Sequence, residues 1–128
     1  MGFAAALRRA AGTVVGRPIE LPPRLLERYP ELAVARWREG GLPPRVGGWF
    51  LGQASVSAIT LWRTIWLARP RDVSAELLLH EIRHVAQFES DRTFALRYLW
   101  ESLRRGYHGN RYEVDAREYA AARLTSDR

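Results

Sequence analysis

Residues 77–88 read Leu-Leu-Leu-His-Glu-Ile-Arg-His-Val-Ala-Gln-Phe, and no other stretch restricts the fold as tightly. Leu77, Leu78, Leu79, Ile82, Val85, Ala86 and Phe88 would cover most of the circumference of a helix. A helix that is apolar nearly all round belongs in the middle of a core. Yet His80, Glu81, Arg83 and His84 place four ionisable side chains within five positions of it. Such groups are costly to bury unless they are paired or hold a metal. On a helix His80 and His84 stand one turn apart on one face. Two imidazoles at that spacing can grip one ion, and Glu81 beside them can take a proton from a water held there. The plain alternative is a polar cluster at the rim of a buried helix, satisfied by nearby acids.

Composition narrows the ligand set. The chain has 128 residues, a length that suits one domain with one core, and is 47% hydrophobic. It contains no cysteine. Disulfides, thiolate metal sites and cysteine nucleophiles are therefore excluded, and a metal would have to be held by His, Asp or Glu. Every one of the 20 basic side chains is Arg, and the formal charge is +6. A phosphate-rich partner, nucleic acid or an anionic membrane surface, is one reading of that charge. The arginines are scattered rather than grouped, which favours a solvated basic surface instead. No segment approaches the roughly 20 apolar residues needed to cross a bilayer. The start of the chain places its charge after the apolar run, unlike a secretory leader. Cytoplasmic residence is the default expectation, with export by a dedicated system left open.

The pattern along the chain predicts an α+β fold. Residues 1–20 are expected to hold a short, loosely packed helix. A second short helix is expected from Pro23 to Tyr29, because Pro suits a first turn. Glu31 to Arg38 alternates well enough for a strand but also fits a helical turn. The glycines and prolines between Gly40 and Gly48 predict a loop. Ser55 to Ala68 is rich in β-branched and aromatic residues and predicts a hairpin turning near Trp62-Arg63, with Arg69 to Asp72 closing the β region. Three helices should follow. The first spans Val73 to Glu89, capped by Asp72 or Ser74. The second spans Arg92 to Arg105, capped by Asp91, ended by Gly106, with Phe94, Leu96, Tyr98, Leu99 and Leu103 as core. The third spans Arg111 to Leu124, capped by Asn110, with Tyr112, Ala116, Tyr119, Ala120 and Leu124 on its apolar stripe. Trp37, Trp49, Trp62, Trp66 and Trp100 are expected mainly in the core.

Two histidines are too few for a catalytic zinc, which takes three protein ligands and leaves one position for water. The third ligand must come from another element. The last helix offers Glu113, Asp115 and Glu118, and His108 lies just before it. Glu113 is preferred because Ala116, three residues on, would let its helix approach closely. Asp115 lies about 200° around the helix from Glu113, so the two cannot serve one ion. A competing use of Glu113 is a capping box with Asn110. Gln87 lies one turn past His84 and could bond a ligand carboxylate or a substrate. Arg83 should pair with Glu76, Glu89 or Asp115. Tyr107, His108, Arg111 and Tyr112 are candidates for a donor that steadies a transition-state oxyanion.

His80-Glu-Ile-Arg-His84 followed by Glu113-x-x-Ala116 resembles the gluzincin metallopeptidases, whose third ligand is a Glu on a later helix. The run Leu-Leu-His-Glu-x-x-His-Val-x-Gln87, after a hairpin containing Ala-Ile-Thr-x-x-x-x-Ile-Trp, is similar to the small zincin-like "eCIS core" metallopeptidase domain of contractile-injection-system cargo proteins. The likeness spans roughly residues 54–121. It implies a minimal zincin-like domain in which a hairpin precedes a buried metal helix. It further implies Zn2+ on His80, His84 and Glu113, Glu81 as general base, and a peptide or protein substrate. Where many gluzincins carry Asp or Asn after the Ala, this chain has Arg117, so a carboxylate that would orient a ligand histidine is missing there. Two other functions stay in view: a non-catalytic interaction or cargo module stapled by metal, and a basic SprT-like protease recruited to nucleic acid.

Overall fold

The computed structural model describes residues 2–7, 15–41, 57–68 and 73–126. Residues 3–7 are helical. After them come strand β1 (Arg17–Pro18), helix α1 (Pro23–Arg28), a 3-10 turn (Pro30–Val34), strands β2 (Arg36–Glu39), β3 (Ala58–Leu61) and β4 (Thr64–Leu67), and helices α2 (Ala75–Ser90), α3 (Phe94–Gly109) and α4 (Arg111–Thr125). The fold is α+β, as the sequence pattern predicts. None of the described helices is long and apolar enough to cross a membrane. The expected loop beyond Gly41, the segment Arg69 to Asp72 and the indole of Trp49 lie outside the described residues.

The sheet runs β1-β2-β4-β3. β4 pairs antiparallel with β3 and parallel with β2, with Ile65 opposite Thr60 on one side and Trp37 on the other. The hairpin turns at Trp62-Arg63, as expected. Trp62 takes a φ of 53°, the left-handed conformation that a tight hairpin demands. Its ring leans on Phe88, and Arg63 Nε donates to Glu89 Oε1 at 2.7 Å, so the hairpin tip is tied to the end of α2. The ambiguous stretch from Glu31 divides in two: a 3-10 turn, then β2. Trp37 Nε1 donates to the Leu32 carbonyl across that junction, which holds the turn against the strand.

The core lies between the sheet and α2. Leu32, Trp37, Ile65, Leu67, Leu78, Leu79, Ile82 and Val85 fill it, and Ala120 of α4 closes it. α2 is central, with seven of its residues buried, although Ala86 is exposed. Ser74 caps it by accepting from Leu77 N. α4 packs against α2 through Ala116 and Ala120, both fully buried. Small side chains there let the two backbones come close.

Two expectations need correction. Leu96, Leu99 and Leu103 are not core: they are 71%, 41% and 82% exposed. α3 rests on the domain through Phe94 and Glu101, and its leucines lie on the other side of the helix. The tryptophans likewise divide. Trp37 is buried, Trp66 is half-buried, and Trp62 and Trp100 are 67% and 60% exposed. Gly106 does break α3, with φ 73° and ψ 172°, before one further turn to Gly109.

Gly16 precedes β1 with φ 73°, and a Cβ there would meet the Glu39 carbonyl at 2.5 Å. Around it Arg38 donates to the carbonyls of Val15 and Gly16, and Trp66 Nε1 donates to that of Val15. Gly16→Ala is therefore expected to cost about 2 kcal/mol, from the positive φ and the overlap together. A urea-denaturation midpoint unchanged from wild type would contradict this packing.

Candidate metal centre

α2 presents His80, Glu81 and His84 on the side that faces α4 and β3. One ligand atom from each lies within 4.8 Å of the others, a group able to hold a metal ion. The imidazole rings stand edge to face with centroids 5.0 Å apart. Across from them α4 delivers Glu113. Its Oε2 is 2.7 Å from His80 Nε2 and its Oε1 is 3.1 Å from His84 Nε2. The side chains of His80, His84 and Glu113 are 13%, 7% and 4% exposed. The capping-box alternative is not realised. Asn110 Oδ1 accepts from Tyr112 N, and its amide donates to the Tyr98 carbonyl and to Ser102, while Glu113 turns to the imidazoles.

His84, Glu81 and Glu113 are each held from behind. His84 Nδ1 donates to Gln87 Oε1 at 2.7 Å. Gln87 Nε2 in turn donates to Asp115 Oδ2 and to the Tyr112 carbonyl. Asp115 accepts from Arg83, whose guanidinium also lies over the Tyr119 ring. This chain fixes the His84 tautomer, leaving Nε2 to face the cluster. Asp115 thereby backs His84 through the Gln87 amide. The sequence pairs Arg83 with one of three acids, and Asp115 is the one it meets. Arg83, followed by opposing burial and by Gln87, holds the Asp115 carboxyl below its ordinary range.

Glu81 is 6% exposed, and its Oε2 accepts from Thr60 Oγ1 at 2.7 Å. Thr60 is an inward residue of β3, so the hairpin sets the position of this carboxylate. Tyr98 OH donates to Glu113 Oε1 at 2.6 Å. Neither Thr60 nor Tyr98 stands out as a site residue in the sequence. The signals were present, since both sit on the inward side of their elements: Thr60 by strand alternation, Tyr98 one turn beyond Phe94. Tyr107, just past the Gly106 break, also faces the cluster. Burial, then the charges of Glu113 and Glu81, push its hydroxyl far above the usual phenol range. Burial and Glu113 do the same to Tyr98. Both phenols thus remain hydrogen-bond donors at any ordinary pH.

The remaining candidates stand apart. The His108 side chain is exposed, and its backbone carbonyl accepts from Arg117. Glu118 is exposed. Tyr112 spends its hydroxyl on Arg111, which lies over its ring. Among the described residues, Asp115 reaches the cluster through Gln87.

The contact between His84 and Glu113 favours the charged form of each. Burial alone would lower the His84 pKa, but the hydrogen bond to Glu113 and the charges of Glu81 and Glu113 outweigh it and raise the value to about 9. Burial would raise that of Glu113, but the bonds from His80 and His84 outweigh it and depress it strongly. A raised His pKa gives stability that is full below its ordinary 6.5 and is lost as pH climbs through about 9. A depressed Glu pKa gives stability that is full above its ordinary 4.5 and is lost as pH falls through the lowered value. Chelator-treated protein should therefore show a urea midpoint that declines between pH 6.5 and 9. Glu113→Gln should flatten that decline. An unchanged slope in the variant would mean that His84 does not titrate against Glu113.

Comparison of the chain with protein-family models, with curated proteins and with solved structures finds no match. What the site can do is therefore to be read from its own residues.

Proposed function

We propose that this protein is a zinc-dependent metallopeptidase of the gluzincin type, with His80, His84 and Glu113 as metal ligands and Glu81 as general base. The observation that carries the proposal is the Glu113 carboxylate reaching both imidazole Nε2 atoms from a separate helix. The donor set suits the ion. Two nitrogens and a carboxylate match catalytic zinc, whose ligand atoms in a tetrahedral shell lie about 3.3 Å from one another. The separations of 2.7 and 3.1 Å would have to open by about 0.6 and 0.2 Å. The tautomer fixed by Gln87 leaves the correct nitrogen of His84 facing inward.

A zinc ion held there would supply acidified water and a polarised carbonyl. The protein supplies the rest. Glu81, held in place by Thr60 at Oε2, is the base that takes the proton from the attacking water. Glu81 then passes that proton to the leaving amine nitrogen as the peptide C–N bond breaks. Tyr107, kept protonated beside both carboxylates, is the donor suited to the developing oxyanion. The substrate strand has a natural bed. β3 is the sheet edge beside α2 and pairs only with β4 among the described strands, so an extended peptide can add to its open side.

Glu81→Gln should retain about one zinc per chain and lose at least a hundredfold in peptide hydrolysis, because removing a general base costs roughly 100- to 10,000-fold. Full activity in Glu81→Gln would exclude this chemistry. Zinc analysis of Glu113→Ala and Asp115→Ala separates the ligand from its supporting acid: the first should lose the metal, and the second should weaken affinity by about 10- to 100-fold. Normal zinc content in Glu113→Ala would remove Glu113 from the ligand set. Zinc-dependent melting without cleavage of any peptide library would make the ion a structural staple instead.

A further inference from the structure

The outward face of α3 plays no part in the site. Leu96, Leu99, Trp100 and Leu103 lie at the spacing of one helical face, spanning about 100° of arc. They are 71%, 41%, 60% and 82% exposed. The helix anchors through Phe94 and Glu101 on the opposite side, so the stripe contributes nothing to the core. Contiguous exposed apolar surface of this kind marks a contact with something else.

We infer that this face docks the protein on an anionic lipid surface. Its rim is basic. Arg97, which pairs with Asp91 at 3.3 Å, and Arg104 run along one flank, and Arg92 stands at the N-terminal end, all three arginines exposed. The one acid within the helix, Glu101, is buried on the far side at 4% exposure. Leucines and an indole on one face with arginines beside them are the composition of a helix lying in a membrane interface. The chain as a whole carries +6, which adds attraction over longer range. Pairing with a second copy is disfavoured by the same charges. An antiparallel two-fold contact would bring the like flanks together, setting the row of Arg97 and Arg104 against its own copy with no exposed acid of the helix to offset it. Since Tyr98 reaches the metal cluster from the inward side of α3, docking would set the site about one helix diameter above the lipid, roughly 10 Å.

Vesicle sedimentation with the full chain tests the assignment. The protein should pellet with phosphatidylcholine vesicles containing phosphatidylglycerol, and about tenfold less with phosphatidylcholine alone, with the difference shrinking as salt rises. Leu96→Ser/Leu103→Ser and, separately, Arg97→Gln/Arg104→Gln should each weaken binding by about tenfold. The changed side chains are exposed, so both variants should keep the wild-type urea midpoint. Equal binding to both vesicle types, or no binding to either, overturns the proposal. So does a concentration-dependent dimer in sedimentation velocity that Leu96→Ser/Leu103→Ser abolishes while vesicle binding persists.

Discussion

The site depends on one carboxylate crossing between two helices. Glu113 leaves α4 and meets His80 and His84 of α2, and its burial would be prohibitive without those partners. Its reach is set by Ala116 and Ala120, whose small side chains allow α4 to lie close against α2. A bulkier residue at either position would push the carboxylate away from the imidazoles. Packing and chemistry are thus decided by the same few residues.

The cluster is built to be full whether or not an ion is present. Gln87 secures His84, Thr60 secures Glu81, and Tyr98 secures Glu113. Among the described residues, no buried side-chain polar atom is left without a hydrogen-bond partner. Such networks fix geometry, because each member would lose a bond by moving. The orientation of His84, Glu81 and Glu113 is in this way fixed by folding.

α3 joins two surfaces of different character. Its inward side supplies Tyr98 and, past the break at Gly106, Tyr107 to the cluster. Its outward side carries leucines and Trp100 into solvent. Both sides are apolar enough to be mistaken for core in a one-dimensional pattern. This is why Leu96, Leu99 and Leu103 read as buried from the sequence: periodicity reports that a helix has an apolar face, but not which neighbour, if any, covers it.

Local chemistry was legible in the chain. The hairpin turn at Trp62-Arg63, the Ser74 and Asn110 caps, the break at Gly106 and the shared face of His80 and His84 all follow from short-range rules of backbone geometry. The preference for Glu113 over Asp115, Glu118 and His108 also came from spacing, and the structure brings Glu113 to both imidazoles. Other features depended on distances between segments far apart in sequence: Thr60 against Glu81, Asp115 reaching His84 through Gln87, and Tyr107 turned toward the two carboxylates. Sequence by itself determined the hairpin, the three long helices and the pair of imidazoles, because those are set within a few residues of one another. Only the tertiary structure decided which acids, hydroxyls and phenols surround them, because that is fixed by how sheet and helices pack.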